Sequence, residues 1–360
     1  MDDLDAWLIL NESGLPGKRQ RTLVEAFGSA VAVLAADDSA LAATEGIRRD
    51  AVQRLRDAVA TLDVGRLRDD MRDRGVTLVP ITAPEYPGLL RETPDAPAAL
   101  FVQGTLGRRD EMAVAIVGTR ECTPYGLATA RKLAFDLARR GFTIVSGMAR
   151  GVDAAAHEGA LEAGGRTVAV MASGMDITYP ADHADLRRRI ADCGAVITEH
   201  AFGVPPLREH FPNRNRIIAG LTLGTLVVEA PAKSGAMITA GLAGEYGREV
   251  FAIPGSIDSP VSRGCHRLIK DGARLVEVAE DVVDGLGILL EAVPTERPRT
   301  DVTVSGDEQA VLDALSYQPR HVDAVVADSG LAAAAVSAAL MMLEIKGLIR
   351  RFPGNAYVRL

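Results

Sequence analysis

Between residues 76 and 286 the chain repeats one pattern: a short apolar run rich in β-branched residues, a loop carrying glycine, then a stretch with helical spacing. Segments 113–117, 143–146, 167–171, 195–198, 226–229 and 249–253 read as strands, and 128–139 and 153–163 as two of the helices between them. Nearly continuous apolar strands alternating with helices call for a parallel sheet covered on both faces. The loops are more informative than any single strand. Gly118, Gly147 with Gly151, Gly174, Gly203, Ser234 with Gly235, and Gly255 each follow a strand. All these loops therefore share the carboxyl rim of the sheet, where open α/β sheets bind ligands.

The flanking segments differ in character. Residues 1–65 read as a small helical domain, in which NESGLPGKRQRTLVEAFGS is similar to a helix-hairpin-helix (SAM-like) unit whose turn could offer N–H groups to a phosphate. GRLRDDMRDRG reads as a solvated helix face. After a proline- and charge-rich linker at 292–306, residues 306–360 read as three helices and a hairpin turning near Pro353 and Gly354, a winged-helix pattern. Its candidate recognition helix, 331–343, holds no basic residue, and the segment carries five Lys and Arg against six Asp and Glu. A duplex reader shows a basic face, so this module reads as a protein contact or a stabilising unit.

The net charge of −8 requires any contact with a polyanion to come from a local patch. Cys122, Cys193 and Cys265 lack paired spacing, which argues against a disulfide framework or a zinc site. No apolar run reaches membrane-spanning length, and the start MDDLDAWLIL is acidic, so no membrane or secretory role is expected and the protein is expected to be cytoplasmic.

Several cations sit on the rim. In IVGTR, Gly118 and Thr119 end a strand and Arg120 follows. In VSGMARGVDAAAH, Ser146 ends a strand and Gly147 and Gly151 flank Arg150 before a helix, an arrangement able to form an anion nest. Asp153 and His157, four apart on one helix face, could describe metal ligands, but a helix-start Asp153 capping its own first turn is the preferred account, and no metal site is expected. EAPAKSGAMITA places Lys233, Ser234 and Gly235 at another helix start. HFPNRNRIIAG places Phe211, Arg214, Asn215 and Arg216 at a third, where cations oppose the helix dipole and so call for an anion. Arginines that track phosphates, with Phe211 and Tyr179 as stacking surfaces, are the means of holding a single nucleic-acid strand without reading its sequence.

The motifs IVGTRECTPYG, VSGMARGVDAAAHEGAL, TVAVMASGMDITYP, HFPNRNRIIAGL, VVEAPAKSGAMITA and REVFAIPGSI, in that order, resemble the DprA/Smf family (DNA-processing protein A) over nearly the whole chain. The resemblance implies an extended Rossmann-like domain, here 76–286, that binds and protects single-stranded DNA, helps load the RecA recombinase during natural transformation, and forms homodimers. It also implies a groove lined by Arg120, the 147–151 loop, Phe211, Arg214, Asn215, Arg216 and the 233–235 loop. The sequence departs from the family pattern after Tyr179 and Pro180, where Ala181 and His183 stand, and at Asn213. The dimer surface is expected around Leu268, Ile269 and Leu275.

Other functions leave different traces. A nucleotide phosphoribohydrolase would use a PGGxGTxxE loop, of which GLTLGTLVVE keeps Gly224, Thr225 and Glu229 but no PGG. A dinucleotide oxidoreductase would need a glycine fingerprint that is missing, so no cofactor is expected. Recognition of a small nucleotide as a signal is the third alternative. Four or five neutralised phosphates would give a salt slope of roughly −3.

Overall fold

The run AVAIV shows why the middle of the chain folds as a layered sheet: Ala113, Ala115 and Val117 join one buried cluster, while Val114 and Ile116 join another on the opposite face. Successive strand side chains point to opposite faces, so a run apolar at every position must be covered twice. The computed structural model describes residues 1–287, 304–316, 320–346, 348–352 and 355–359.

The strands are β1 (Val76–Pro80), β2 (Ala99–Gly104), β3 (Ala113–Val117), β4 (Thr143–Ser146), β5 (Thr167–Val170), β6 (Ala195–Thr198), β7 (Gly224–Val227), β8 (Glu249–Ala252) and β9 (Arg274–Leu275). They form one sheet in the order β1-β2-β6-β5-β4-β3-β7-β8-β9. From β6 to β9 the neighbours are parallel, and β1 and β2 add an antiparallel extension beside β6. The chain steps outward from β3 through β4, β5 and β6, then returns to β3's other side at β7. Between β3 and β7 the direction of winding reverses, which opens a crevice at their carboxyl ends.

Three strands shift their boundaries from the sequence reading: β5 and β8 end one residue earlier, and β7 begins at Gly224 and ends at Val227. The strands β1, β2 and β9 were not read from sequence. The N-terminal helices, including Asp3–Glu12 and Gly17–Phe27, do not stand apart from the sheet: Trp7, Leu8 and Leu23 belong to the same buried cluster as Leu100 and Phe101 of β2. GRLRDDMRDRG falls on the helix Val64–Asp73, which buries only Leu67 and Met71.

In the C-terminal module, helices Gly306–Ala314, Val322–Ser329 and Ala333–Ile345 surround their own core of Val311, Val325, Val336, Leu340 and Leu343. Strands β10 (Arg320–His321), β11 (Ile349–Phe352) and β12 (Ala356–Arg359) make a second sheet in the order β10-β12-β11. This is a winged-helix arrangement. The linker positions 292–303 and the turn at Pro353 and Gly354 lie outside the described residues. Among the described residues, no single helix is long and apolar enough to cross a membrane.

One buried group gives the core a pH dependence. His157 is fully buried; its Nδ1 lies 2.7 Å from Thr167 Oγ1, whose own hydroxyl donates to Ile144 O. Nδ1 therefore carries the proton and donates, and Nε2 is left with a lone pair and no partner. Burial pulls the imidazole from 6.5 down to about 3. Because the folded state disfavours the proton, stability is full above about pH 6.5 and is lost as the pH falls toward 3. Between pH 6.5 and 4.5 the expected loss is roughly 2 kcal/mol, because the slope reaches about 1.4 kcal/mol per unit only once the pH is well below 6.5. Urea unfolding at the two pH values should show it, and His157→Phe should remove that share; parallel losses in both proteins would refute the assignment.

Candidate nucleic-acid interface

The crevice between β3 and β7 is a cavity of about 340 Å³ whose lining includes Gly118, Thr119, Arg120, Phe211, Arg214, Asn215, Lys233, Ser234 and Gly235. The loop after β3 is fixed from below. Thr119 N–H donates to Glu229 O, and a Cβ at Gly118 would strike Val152 and that same carbonyl. Both oxygens of the Glu229 carboxylate, only 4% exposed, accept from Thr123, one from its N–H and one from its hydroxyl. Gly151, with φ of 81°, lies against the Thr119 and Arg120 carbonyls, where any Cβ would clash. Two turns thus hold Arg120 at the rim, exposed, with its guanidinium 4.7 Å from the Phe211 ring centre. Tyr179 meets the same ring edge-on at 5.6 Å.

The opposite wall is the start of the helix Gly235–Glu245. Ser234 occupies its N-cap position without a side-chain cap hydrogen bond, and its Oγ has no partner. Asn215 Nδ2 donates to Gly235 O and so locks that turn to the neighbouring helix His210–Gly220. Lys233 is exposed and makes no ion pair with a described residue. An uncapped helix start beside an exposed ammonium has the geometry and the dipole that suit an anion.

Five expectations about the rim need correction. Arg214 is 4% exposed and donates to the carbonyls of Gly147 and Val170, below the rim. Burial pulls its guanidinium down to about 10, with the Asp153 carboxylate opposing; burial likewise pushes Asp153 up, with Arg214 opposing. The helix-start cation is therefore satisfied inside the protein by backbone oxygens, and the Asp153 carboxylate acts on it from beyond ion-pair distance. Arg216 pairs with Glu199 and lines a different cavity. Residues two apart on a helix point about 200° apart, so one groove could not take both guanidinium groups.

Ser146 and Gly147 are buried: Ser146 Oγ donates to Ile116 O, and Gly147 lies under the Arg214 guanidinium. The 147–151 loop is no open nest either. Val152 N–H donates to Thr119 O, Ala154 N–H to Ala149 O, and Asp153 accepts from Ala149 N–H rather than capping its own helix. Arg150 stays exposed but pairs with Asp182 through both oxygens.

The sequence reading also missed Arg208, exposed three residues before Phe211 and without an ion pair to a described residue. Its signal was present, since it is a cation on the same loop. Among the described residues no group of three or more His, Cys, Asp or Glu is placed to hold a metal.

A parallel sheet with an antiparallel extension and a phosphate-suited crevice at its switch point puts the chain in the class of extended Rossmann-like proteins. The DNA recombination-mediator protein A family model matches residues 77–287, and the DprA winged-helix domain model matches 295–355. The chain belongs to the DprA/Smf family of DNA-processing proteins. Protein Smf of Escherichia coli is 41% identical over 291 residues, 79% of this chain and 77% of its own; Protein Smf of Synechocystis is 39% identical over 311 residues, 77% and 78%. The DNA processing protein A structure from Streptococcus pneumoniae superposes with a TM-score of 0.70 at 37% identity, covering 79% of this chain and 98% of that one. The Helicobacter pylori structure, described for its single-stranded DNA binding mode, superposes at 0.52 with 29% identity over 59% and 95%.

Proposed function

We propose that this protein holds single-stranded DNA by its phosphates in the β3–β7 crevice, protects it, and helps load the RecA recombinase onto it. The observation that carries the reading is the pairing of Arg120 on one wall with Lys233 and the uncapped start of Gly235–Glu245 on the other. Gly118, Thr119 and Asn215 shape the floor between them, and Arg150 and Tyr179 stand at the margin. Swinging Arg120 from the Phe211 ring to a phosphate would free that ring for a base. The binding mode named for the H. pylori relative supports this substrate.

With Arg214 and Arg216 spent internally, three exposed cations remain from the sequence reading: Arg120, Arg150 and Lys233. The salt slope should then be near −2, at about −0.7 per contact, rather than −3. Titrating a thymidine 20-mer at several salt concentrations measures it; a slope near zero would refute phosphate binding in the crevice.

A phosphoribohydrolase is the alternative that geometry disfavours. Its glutamate would have to reach substrate, whereas the Glu229 carboxylate is consumed by Thr123. We therefore propose a non-catalytic role in the cytoplasm, carried out by units 1–65, 76–286 and 306–360. The proposed homodimer contact is the sheet edge at β9, where Leu275 is exposed and Leu268 and Ile269 pack partly beneath.

A further inference from the structure

A second cavity, of about 450 Å³, opens on the other flank of the helix His210–Gly220, where the turn between the first two helices meets the sheet. Phe211, Arg214, Asn215 and Ile218 face the crevice described above; His210, Asn213 and Arg216 face this one. Spacings of three and four residues make two stripes, so one helix is the wall between both chambers.

The second chamber is built for a different chemistry. Arg216 and Glu199 are the charged residues among its described lining, and they neutralise each other. The His200 and His210 rings stack with centres 4.3 Å apart and 30° between planes, which gives a flat surface. Burial, with the neighbouring His210 and then Arg216, holds His200 neutral, down to about 4. Donors and acceptors are both left over. The exposed Asn213 amide makes no hydrogen bond with a described residue. Beneath them Gln20 Oε1, His200 Nε2 and Arg216 Nη1 are covered and have no partner.

A charge-balanced chamber with a flat aromatic surface and mixed donors and acceptors suits a neutral planar heterocycle, not a phosphate. We propose that this cavity receives one unstacked nucleobase of the same strand whose phosphates pass Arg120 and Lys233. The assignment rests on the function proposed above. A strand crossing the start of the shared helix would reach both chambers, with phosphates on one side and a base on the other.

The test uses the full chain, a thymidine 20-mer and an abasic 20-mer with the same number of phosphates, read by fluorescence anisotropy. The double variant His210→Ala, Asn213→Ala should lose about tenfold on the thymidine strand, the effect of one stacked base, with no change on the abasic strand. Asn213→Ala alone should lose a smaller share in the same pattern, and it serves as the readout if the double variant melts early. Equal losses on both strands, or no loss on the thymidine strand, would overturn the base pocket. Millimolar free thymidine should not compete; if it does, the cavity serves a free nucleoside and the strand assignment is wrong. Failure of the wild-type protein to bind either strand in a salt-dependent way would instead remove the crevice reading itself.

Discussion

Arg214→Glu should yield little or no folded protein, whatever its effect on DNA. The side chain lies under the rim with Asp153 as its nearby counter-charge, and its donors go to the carbonyls of Gly147 and Val170. Removing one partner of a buried charge pair costs about 3–5 kcal/mol, because the other charge stays behind without compensation. A glutamate there would add a second buried carboxylate beside Asp153 and leave two backbone oxygens without donors. Arg214→Met with Asp153→Asn removes both charges together and should recover much of the loss. Soluble yield and urea unfolding measure this. A stable Arg214→Glu protein that merely fails to bind DNA would show that the guanidinium serves the ligand after all.

Arg120→Ala combined with Lys233→Ala should weaken single-strand binding at least about 100-fold at low salt while leaving the melting temperature unchanged. Two charge-assisted contacts at about 1.5–3 kcal/mol each account for that loss, and both side chains are exposed, so the core is untouched. The salt slope should shrink by about 1.4 for the pair. A variant that keeps its affinity and its slope would move the strand away from this crevice.

Much of the scaffold was legible because parallel strands are buried on both faces. A run such as AVAIV or TIVS is apolar enough to stand out from its neighbours, and a glycine closes it. The strands β1 and β2 were not legible: they pair with each other across an 18-residue connection and with β6 far along the chain, contacts that no local periodicity encodes. The N-terminal helices could be read as helices, but not that they share a core with β2.

At the site, the loops were found and the destinations of their side chains were not. RNR looked like a patch of charge, yet the helix spacing that sends Arg214 and Arg216 to different cavities was already visible in the two-residue interval. Asp153 looked like a local cap, and only the tertiary fold sets it against Arg214. Glu229 stood in the sequence as a remnant of a phosphoribohydrolase loop without its PGG, and only the fold hands its carboxylate Thr123.

The Arg214 guanidinium joins the carbonyl end of β5 to the loop after β4, and Asn215 beside it fastens the next helix start. Rim segments riveted in this way have little freedom to close around an incoming strand. Encounter, rather than a slow rearrangement, should then set the pace of capture, and a stopped-flow trace should rise as a single phase whose rate grows in proportion to DNA concentration.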